Sequence, residues 1–486
     1  MYQLDEKKKN MLFLACFCGL LCWLWGMLLY GCSEKEFWYD EMAMVGFVCG
    51  KRTIPELLRI YLTSEASNLP LYALLLWPVY HFLPAQEFCL LQLSVLLTMG
   101  AALFLGLFAW KRYGKAAALA VLALCLCSTT VRNRIGTELR AYSLMFYGAA
   151  SSMYCLLLFH EKESRKRGAA AFVSLLLLVF SHYFGVLFFA LLGAGALLMV
   201  LLGKKDRKYL VPFFGAGGIF LPWFIATRLS TDVSAADFWI PKPEFMALPG
   251  TVAYLLGGNV ILTGIFGLAY LLLFFMTAKK KRWLSVESFL LAAPALVLSG
   301  IFIYSRYISK GGGLYENRYF ISILPGMLLL IAGAAQECWD LCAKKKWLRI
   351  LPLLFFLTAC YKGNQKAGWE MNSQARDASD SSDHIIEQGD AEQPDVRIVA
   401  LSYDTIGDYC ARGWADFYLC RQGGLDVEVL FTKDPGLDGC FEEYARQGVQ
   451  KIYLMADDDF FDYDGTDYIM EVPENVRRLI LFERAQ

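Results

Sequence analysis

Charge is what this sequence has little of. Asp, Glu, Lys and Arg make up 19% of its 486 residues, against about 25% in an ordinary soluble protein. That shortage excludes a chain of conventional soluble domains. Histidine is scarcer still, with four in all. Cysteine is not scarce, at fifteen, but no CxxC pair of the metal-binding kind occurs. Cys16, Cys18, Cys22, Cys125 and Cys127 fall inside apolar runs, where the residue acts as a small hydrophobe. Cys410, Cys420 and Cys440 lie in the polar tail, and their odd number excludes a complete disulfide framework while permitting one bridge. Glycine-rich phosphate loops, GxSxG and HExxH are also absent, which argues against nucleotide-driven transport and standard hydrolase sites.

What is present is long apolar runs. Hydrophobic residues make up 57% of the chain, and the mean hydropathy is +0.41. Runs of roughly 17–25 such residues predict transmembrane helices. Candidate spans fall at 11–30, 88–109, 116–130, 139–159, 168–182, 184–203, 209–227, 251–277, 286–305, 317–335 and 347–361. "LPLYALLLWPVYHFL" (69–83) is short and holds two prolines. The first run reads as an uncleaved helix rather than a signal peptide, because no small-x-small cleavage site follows it.

Orientation follows from the basic clusters "KKK" (7–9), "KRYGK" (111–115), "EKESRKR" (161–167), "GKKDRK" (203–208), "AKKKR" (278–282) and "AKKKWLR" (343–349). The positive-inside rule wants all of them cytoplasmic. Eleven spans satisfy this if 69–83 does not cross, and counting it as a span would place five clusters outside. The expectation is a cytoplasmic N-terminus and an extracytoplasmic C-terminus in the plasma membrane. Three segments follow: a membrane domain over 1–362 with an outer loop at 31–87 that carries interfacial helices, a polar linker over 363–395, and an extracytoplasmic α/β domain over 396–486. Strands are predicted at 396–403, 426–431, 451–456 and 477–484, with helices at 406–420 and 439–449. "FFDYDGTDYIME" (460–471) has acids at some calcium-loop positions but Phe460 at the first, so it reads as an acidic surface loop.

This topology gathers the unusual polar residues on the outer face. "EFWYDEMAMVGFV" (36–48) sets Asp40 and Glu41 among aromatics and methionines, and "MAMVGFVCG" can form an amphipathic helix on the membrane. A carboxylate there is costly unless it has a partner or a task, and partial desolvation makes a better general base. "VRNRIGTELRAY" brings Arg134, Glu138 and Arg140 to the start of a span. They are either an interfacial cap, with Thr137 as N-cap and Glu138 in the first turn, or an acid among phosphate-clamping arginines. His182 and Tyr183 break 36 mostly apolar residues. They read as helix-end anchors or as ligands of a metal, sugar or phosphate. Arg318 and Tyr319 open a late span with Arg306 across the loop, and outer arginines run against the positive-inside trend.

In order and topology, "WYDEM", "NLPLYALLLWPVYHFL", "RNRIGTELRAYSL", "SHYFG" and "ENRYFISILPGMLLL" resemble the glycosyltransferase family 39 group of the GT-C class. Protein O-mannosyltransferases and aminoarabinose transferases belong to that group. The resemblance covers most of residues 1–335. It implies a mainly α, polytopic GT-C-like bundle of about eleven spans with a small C-terminal α/β domain. It also implies inverting transfer of a sugar from a polyprenyl-phosphate donor to a lipid, glycan or protein acceptor, amid membrane lipids and without nucleic acid. The first outer acid, Asp40, maps to the general base, with Glu41 beside it. Arg318, Tyr319, Arg306, Arg134 and Arg140 map to donor phosphate and sugar binding, and Glu138, His182 and Tyr183 to the acceptor or metal vicinity. A divalent cation, Mg or Mn, is a possible cofactor. The chain reads "SNLPLY", with Asn68 and Leu69 before Pro70, where many members have a doubled proline after His or Lys; the ion- or phosphate-contacting residue of those members has no counterpart there, and the resemblance does not carry metal dependence over. Alternatives are a flippase or transporter, which predicts inverted repeats and mid-span charge, a non-catalytic scaffold, and a polysaccharide ligase or polymerase.

Overall fold

A computed structural model describes residues 6–33, 35–50, 52–63, 68–230, 240–279, 285–309, 313–341, 377–389, 393–402, 405–425, 428–431, 438–455, 468–471 and 479–484. The helices of the first third are α1 (Glu6–Ser33), α2 (Tyr39–Val48), α3 (Ile54–Thr63), α4 (Leu71–Phe82), α5 (Glu87–Arg112) and α6 (Lys115–Cys127). The rest of the bundle is α7 (Tyr142–Glu161), α8 (Arg165–Val179), α9 (Tyr183–Leu201), α10 (Val211–Ser230), α11 (Ala247–Leu255), α12 (Val260–Lys279), α13 (Val286–Ile303) and α14 (Leu324–Leu341). The tail holds α15 (Asp377–Gln388), α16 (Thr405–Trp414) and α17 (Asp438–Arg446), with strands β1 (Val396–Ser402), β2 (Glu428–Phe431), β3 (Lys451–Met455), β4 (Tyr468–Glu471) and β5 (Leu479–Arg484). The fold is therefore mainly helical and built for a membrane, with a small α/β domain at the end. Contacts divide it into two compact units: residues 1–32, 61–72 and 94–372, and residues 33–60, 73–93 and 373–486.

Among the described residues, eight helices are long and apolar enough to cross a membrane. A ninth arises if α6 and the π-helical turn Thr130–Gly136, bent by 67° from it, are one span. The candidate at 168–182 forms α8, of 15 residues, and the candidate at 347–361 lies outside the described residues. The run at 251–277 is broken between α11 and α12, where Gly257 and Gly258 take positive φ. The run at 69–83 is the 12-residue α4, too short to span. α7 and α14 are the most enclosed helices, with 83% of their apolar windows buried. α1 is 22% buried and turns Trp23, Trp25 and Tyr30 outward, as suits a helix facing lipid.

Ion pairs sort the helix ends of the first unit. Lys111 at the end of α5 meets Glu161 at the end of α7, at 2.9 Å. Arg112 forks onto Glu287 at the start of α13, at 2.7 and 2.9 Å. Lys205, after α9, reaches Glu163 at 3.1 Å and the His160 carbonyl at 2.5 Å. Lys115 lies 3.6 Å from Glu6 in α1. Three of the six basic clusters, at 111–115, 161–167 and 203–208, thus contribute to one ion-paired end. Each helix that starts or stops there places its other terminus at the far end.

In the second unit the strand order is β2-β1-β3-β5-β4. β1 pairs parallel with β2 and β3, and β5 pairs antiparallel with β3 and β4. Val399, Ile452, Leu454 and Phe482 form its core with Phe441, Tyr444 and Val449 from the α17 side. Four strands fall where alternation predicts them. The fifth, β4, takes the end of the segment expected to be a loop. It is an edge strand of four residues, and its register on β5, Tyr468 opposite Arg484 and Glu471 opposite Leu481, supplies what its own sequence does not advertise.

The expected membrane-surface helix is corrected here. Residues 41–49 are all buried, and α2 packs against α16. Glycine permits the crossing: a Cβ on Gly46 would run into the Tyr409 carbonyl, and one on Gly413 into the Met42 carbonyl. The ring of Phe47 lies 4.6 Å from that of Tyr409. Alanine at either glycine should therefore destabilise the second unit, by about 1–3 kcal/mol from overpacking. The helical Gly439, which faces open space, should gain up to about 1 kcal/mol from the same change. Thermal melts of Gly46→Ala, Gly413→Ala and Gly439→Ala are expected to show opposite signs.

Candidate functional site

The far end of the first unit begins with the bent π turn after α6. π turns are rare and cluster at functional sites. Thr129 Oγ1 donates to the Gly257 carbonyl at 2.9 Å, and Thr130 to that of Tyr254. Gly257 has φ +79°, and a Cβ there would meet Thr129 N, so only glycine lets the α11–α12 corner close on this turn. Thr137 does not cap the next helix as predicted. Its hydroxyl bonds back to the Asn133 carbonyl at 3.1 Å, and α7 starts five residues later with Ala141 as N-cap.

That detour holds Glu138 in place. The residue is 3% exposed and pairs with Arg134 Nη1 at 3.1 Å. Its carbonyl accepts from Ser94 Oγ at 2.6 Å, and Ser94 also shares a hydrogen bond with the Tyr72 hydroxyl at 2.7 Å. The short segment 61–72 is thereby tied to the same place.

His182 is the centre of the second half of this group. It is the N-cap of α9, and its Nδ1 accepts from Phe184 N at 3.2 Å. Its ring packs at a tilt against those of Tyr319 and Tyr142, with centroids 5.1 and 5.9 Å away. Burial, with Arg140 and Arg318 adding repulsion, lowers its pKa from the ordinary 6.5 to about 3. The imidazole is therefore neutral at physiological pH, with Nε2–H as its donor. The Arg140 guanidinium lies over the Tyr142 ring at 5.6 Å, and Arg318 Nε sits 4.0 Å from Glu316. Burial foremost, and Glu138 next, push the Tyr254 hydroxyl up, so it remains a protonated donor. The result is two guanidiniums, a neutral imidazole and several phenols: donors suited to the oxygens of an anion and a sugar.

The sequence reading gathered Arg134, Glu138, Arg140, His182, Arg318 and Tyr319, and the structure brings these to one end of the first unit. Tyr183 turns away, under the Arg228 guanidinium at 5.7 Å and into the cluster around Leu69 and Phe220. Arg306 is exposed on its own π turn, Tyr304–Ile308. Tyr142 and Tyr254 were missed. The Tyr142 hydroxyl is buried and, among the described residues, without a hydrogen-bond partner. Its position two residues after Arg140 was the signal available.

Asp40 and Glu41 belong to the second unit, in the first turn of α2, where backbone N–H groups favour carboxylates. They have different surroundings. Glu41 is fully buried, pairs with Lys35 at 2.7 Å and accepts from Trp38 N at 3.2 Å. It is a cap and ion-pair partner. Asp40 is half-buried.

Among the described residues, no three His, Cys, Asp or Glu side chains gather in a way that could hold a metal ion, and His182 Nδ1 is committed to its helix. These residues do not build a seat for a divalent cation.

No protein-family model matches this chain, and no curated protein matches it. Among solved structures, ArnT from Cupriavidus metallidurans in its apo state shares the fold, with a TM-score of 0.58 at 14% identity over 98% of both chains.

Two predictions follow from this geometry. Lys35→Met takes the counter-charge from a buried carboxylate and should cost about 3–5 kcal/mol. Lys35→Met with Glu41→Gln should recover most of that loss in a denaturation series. For His182, the unfolded chain binds the proton below about 6.5 and the folded chain only near 3. Its contribution to stability is complete above 6.5 and drains away as pH falls from 6.5 towards 3. His182→Asn keeps a capping side chain, and the melts should show that acid slope flattened.

Proposed function

We propose that the chain is an inverting glycosyltransferase that moves a sugar from a polyprenyl-phosphate carrier to an acceptor hydroxyl on the outer face of the plasma membrane. The observation that carries this reading is the gathering of Arg140 and Arg318 around the neutral His182 at the ends of membrane-capable helices, in a chain with an ArnT-like fold. Paired guanidiniums are natural holders of a phosphate. Their positions beside imidazole and phenol donors suit a phosphate that carries a sugar.

In this reading Asp40 takes the proton of the acceptor hydroxyl. The acceptor oxygen bonds to the anomeric carbon as the bond from that carbon to the phosphate oxygen breaks, with inversion. Polyprenyl phosphate leaves with the electron pair and gains negative charge. Arg318 and Arg140 are aimed at that developing charge, which is where an enzyme gains most from fixed donors. Arg134 keeps Glu138 paired at the same end. Glu41 positions the turn that carries Asp40. The ion-paired end of the bundle is assigned to the cytoplasm by the positive-inside rule, and the far end with the C-terminal domain to the outside.

Membranes carrying the full chain, supplied with radiolabelled polyprenyl-phosphate sugar, test this. Asp40→Asn should lower transfer by about 10²–10⁴-fold, the range for loss of a general base. Arg318→Gln should lower it by about 10²–10³-fold. Transfer that is absent from the unaltered protein, or equal in Asp40→Asn, would remove the enzyme reading or the base, respectively.

A further inference from the structure

The second unit holds a cavity that the transfer reading does not use. It has a volume of about 560 Å³ and is lined by Arg52, Arg59 and Arg412, by Glu56 and Asp416, and by Cys420 among others. Three guanidiniums thus face two carboxylates, and both carboxylates are already engaged. Asp416 accepts from Gly50 N at 3.2 Å and from the Tyr80 hydroxyl. Glu56 accepts from Thr53 N at 2.7 Å and Thr53 Oγ1 at 2.8 Å.

The arginines come from two elements that the fold fixes together. Arg52 follows α2 and donates through Nη1 to the Gly46 and Phe47 carbonyls. These are the last carbonyls of a helix and lack partners within it. Its guanidinium also lies 5.7 Å from the Tyr409 ring. Arg412 stands on α16, one turn before Asp416, and the glycine crossing of α2 and α16 sets the distance between the two walls. Among the described residues, the Arg52 guanidinium donates to protein through Nη1 alone, leaving the other edge of its fork for a ligand. The volume exceeds what an inorganic anion needs and suits a phosphate carried on a larger body.

We propose that this cavity is an anion site that binds a phosphoryl headgroup through Arg52, Arg59 and Arg412. Phosphate oxygens match the arginine fork two at a time. The same chemistry could reach the cavity on a lipid or as a free phosphate. The proposal concerns binding alone and stands or falls apart from sugar transfer.

The test is calorimetric titration of the full-length protein in neutral detergent, with inorganic phosphate in one arm and soluble dihexanoyl phosphatidic acid in the other. Saturable binding should weaken about tenfold or more in Arg412→Gln and in Arg59→Gln. Arg59→Gln alters an exposed side chain, so the fold does not rest on it. Arg397→Gln, on β1 outside the cavity, should bind as the unaltered protein does. Bound ligand should also protect Cys420 from maleimide in peptide mass spectra. Cys49, also on the cavity wall, has its thiol pushed up to about 12 by burial and should stay unlabelled throughout. Binding in both arms assigns a free-anion site, and binding of the lipid alone assigns a headgroup site. Absence of binding in both arms, or affinity in both arginine variants equal to that of the unaltered protein, overturns the proposal.

Discussion

The ordering of helix ends by charge is the constraint on which the first unit depends. Apolar helices in lipid gain little from one end rather than the other, because hydrocarbon is as apolar as their side chains. Polar termini break that indifference. Lys111 on Glu161, Arg112 on Glu287 and Lys205 on Glu163 collect four loops at one end. Each pair is partly exposed and individually contributes little, but the arrangement is directional. Because α5, α7, α9 and α13 have ends fixed there, the residues at their opposite ends gather without any single interaction to draw them. Arg140, just before the opposite end of α7, and His182, at that of α9, meet for this reason.

The second unit is held by an opposite kind of contact, close backbone packing. Gly46 and Gly413 let α2 and α16 approach until carbonyls lie where side chains would be. That crossing buries nearly the whole of α2, and burial explains the pair of acids at its start. Glu41 satisfies the helix N-terminus and neutralises Lys35, so it belongs to the architecture. Asp40, one residue earlier, is half-buried and is the acid to which the proposed reaction assigns the base.

Much of this was legible in the sequence, and the limits have physical causes. The apolar runs marked the spans because backbone in lipid must satisfy itself within a helix. The arginine and histidine at the ends of those runs stood out against that background. Four of the five strands declared themselves by alternation, whereas Tyr468–Glu471 is specified by its partner strand. "MAMVGFVCG" reads as a surface helix locally because nothing in it shows that α16 will cover it. Thr137 had the residue type of a cap, but its hydroxyl was taken by a carbonyl within the π turn. Tyr142 escaped notice because a tyrosine at a span end is ordinary, and only its enclosed hydroxyl sets it apart.

The partnership between α2 and the tail also has a consequence for biogenesis. Gly50 and the Asp416 that it touches are 366 residues apart in sequence. At about 5–20 residues per second, a ribosome delivers the partner of α2 about 20–70 seconds after α2 itself. For that interval an apolar helix with two acids exists while the element that will enclose it does not. The order of synthesis thus makes completion of the tail the last event in building the segment that carries Asp40. A chain cut short between α14 and α16 retains the membrane-capable helices but leaves α2 uncovered, a form that quality-control proteases recognise by its exposed apolar surface.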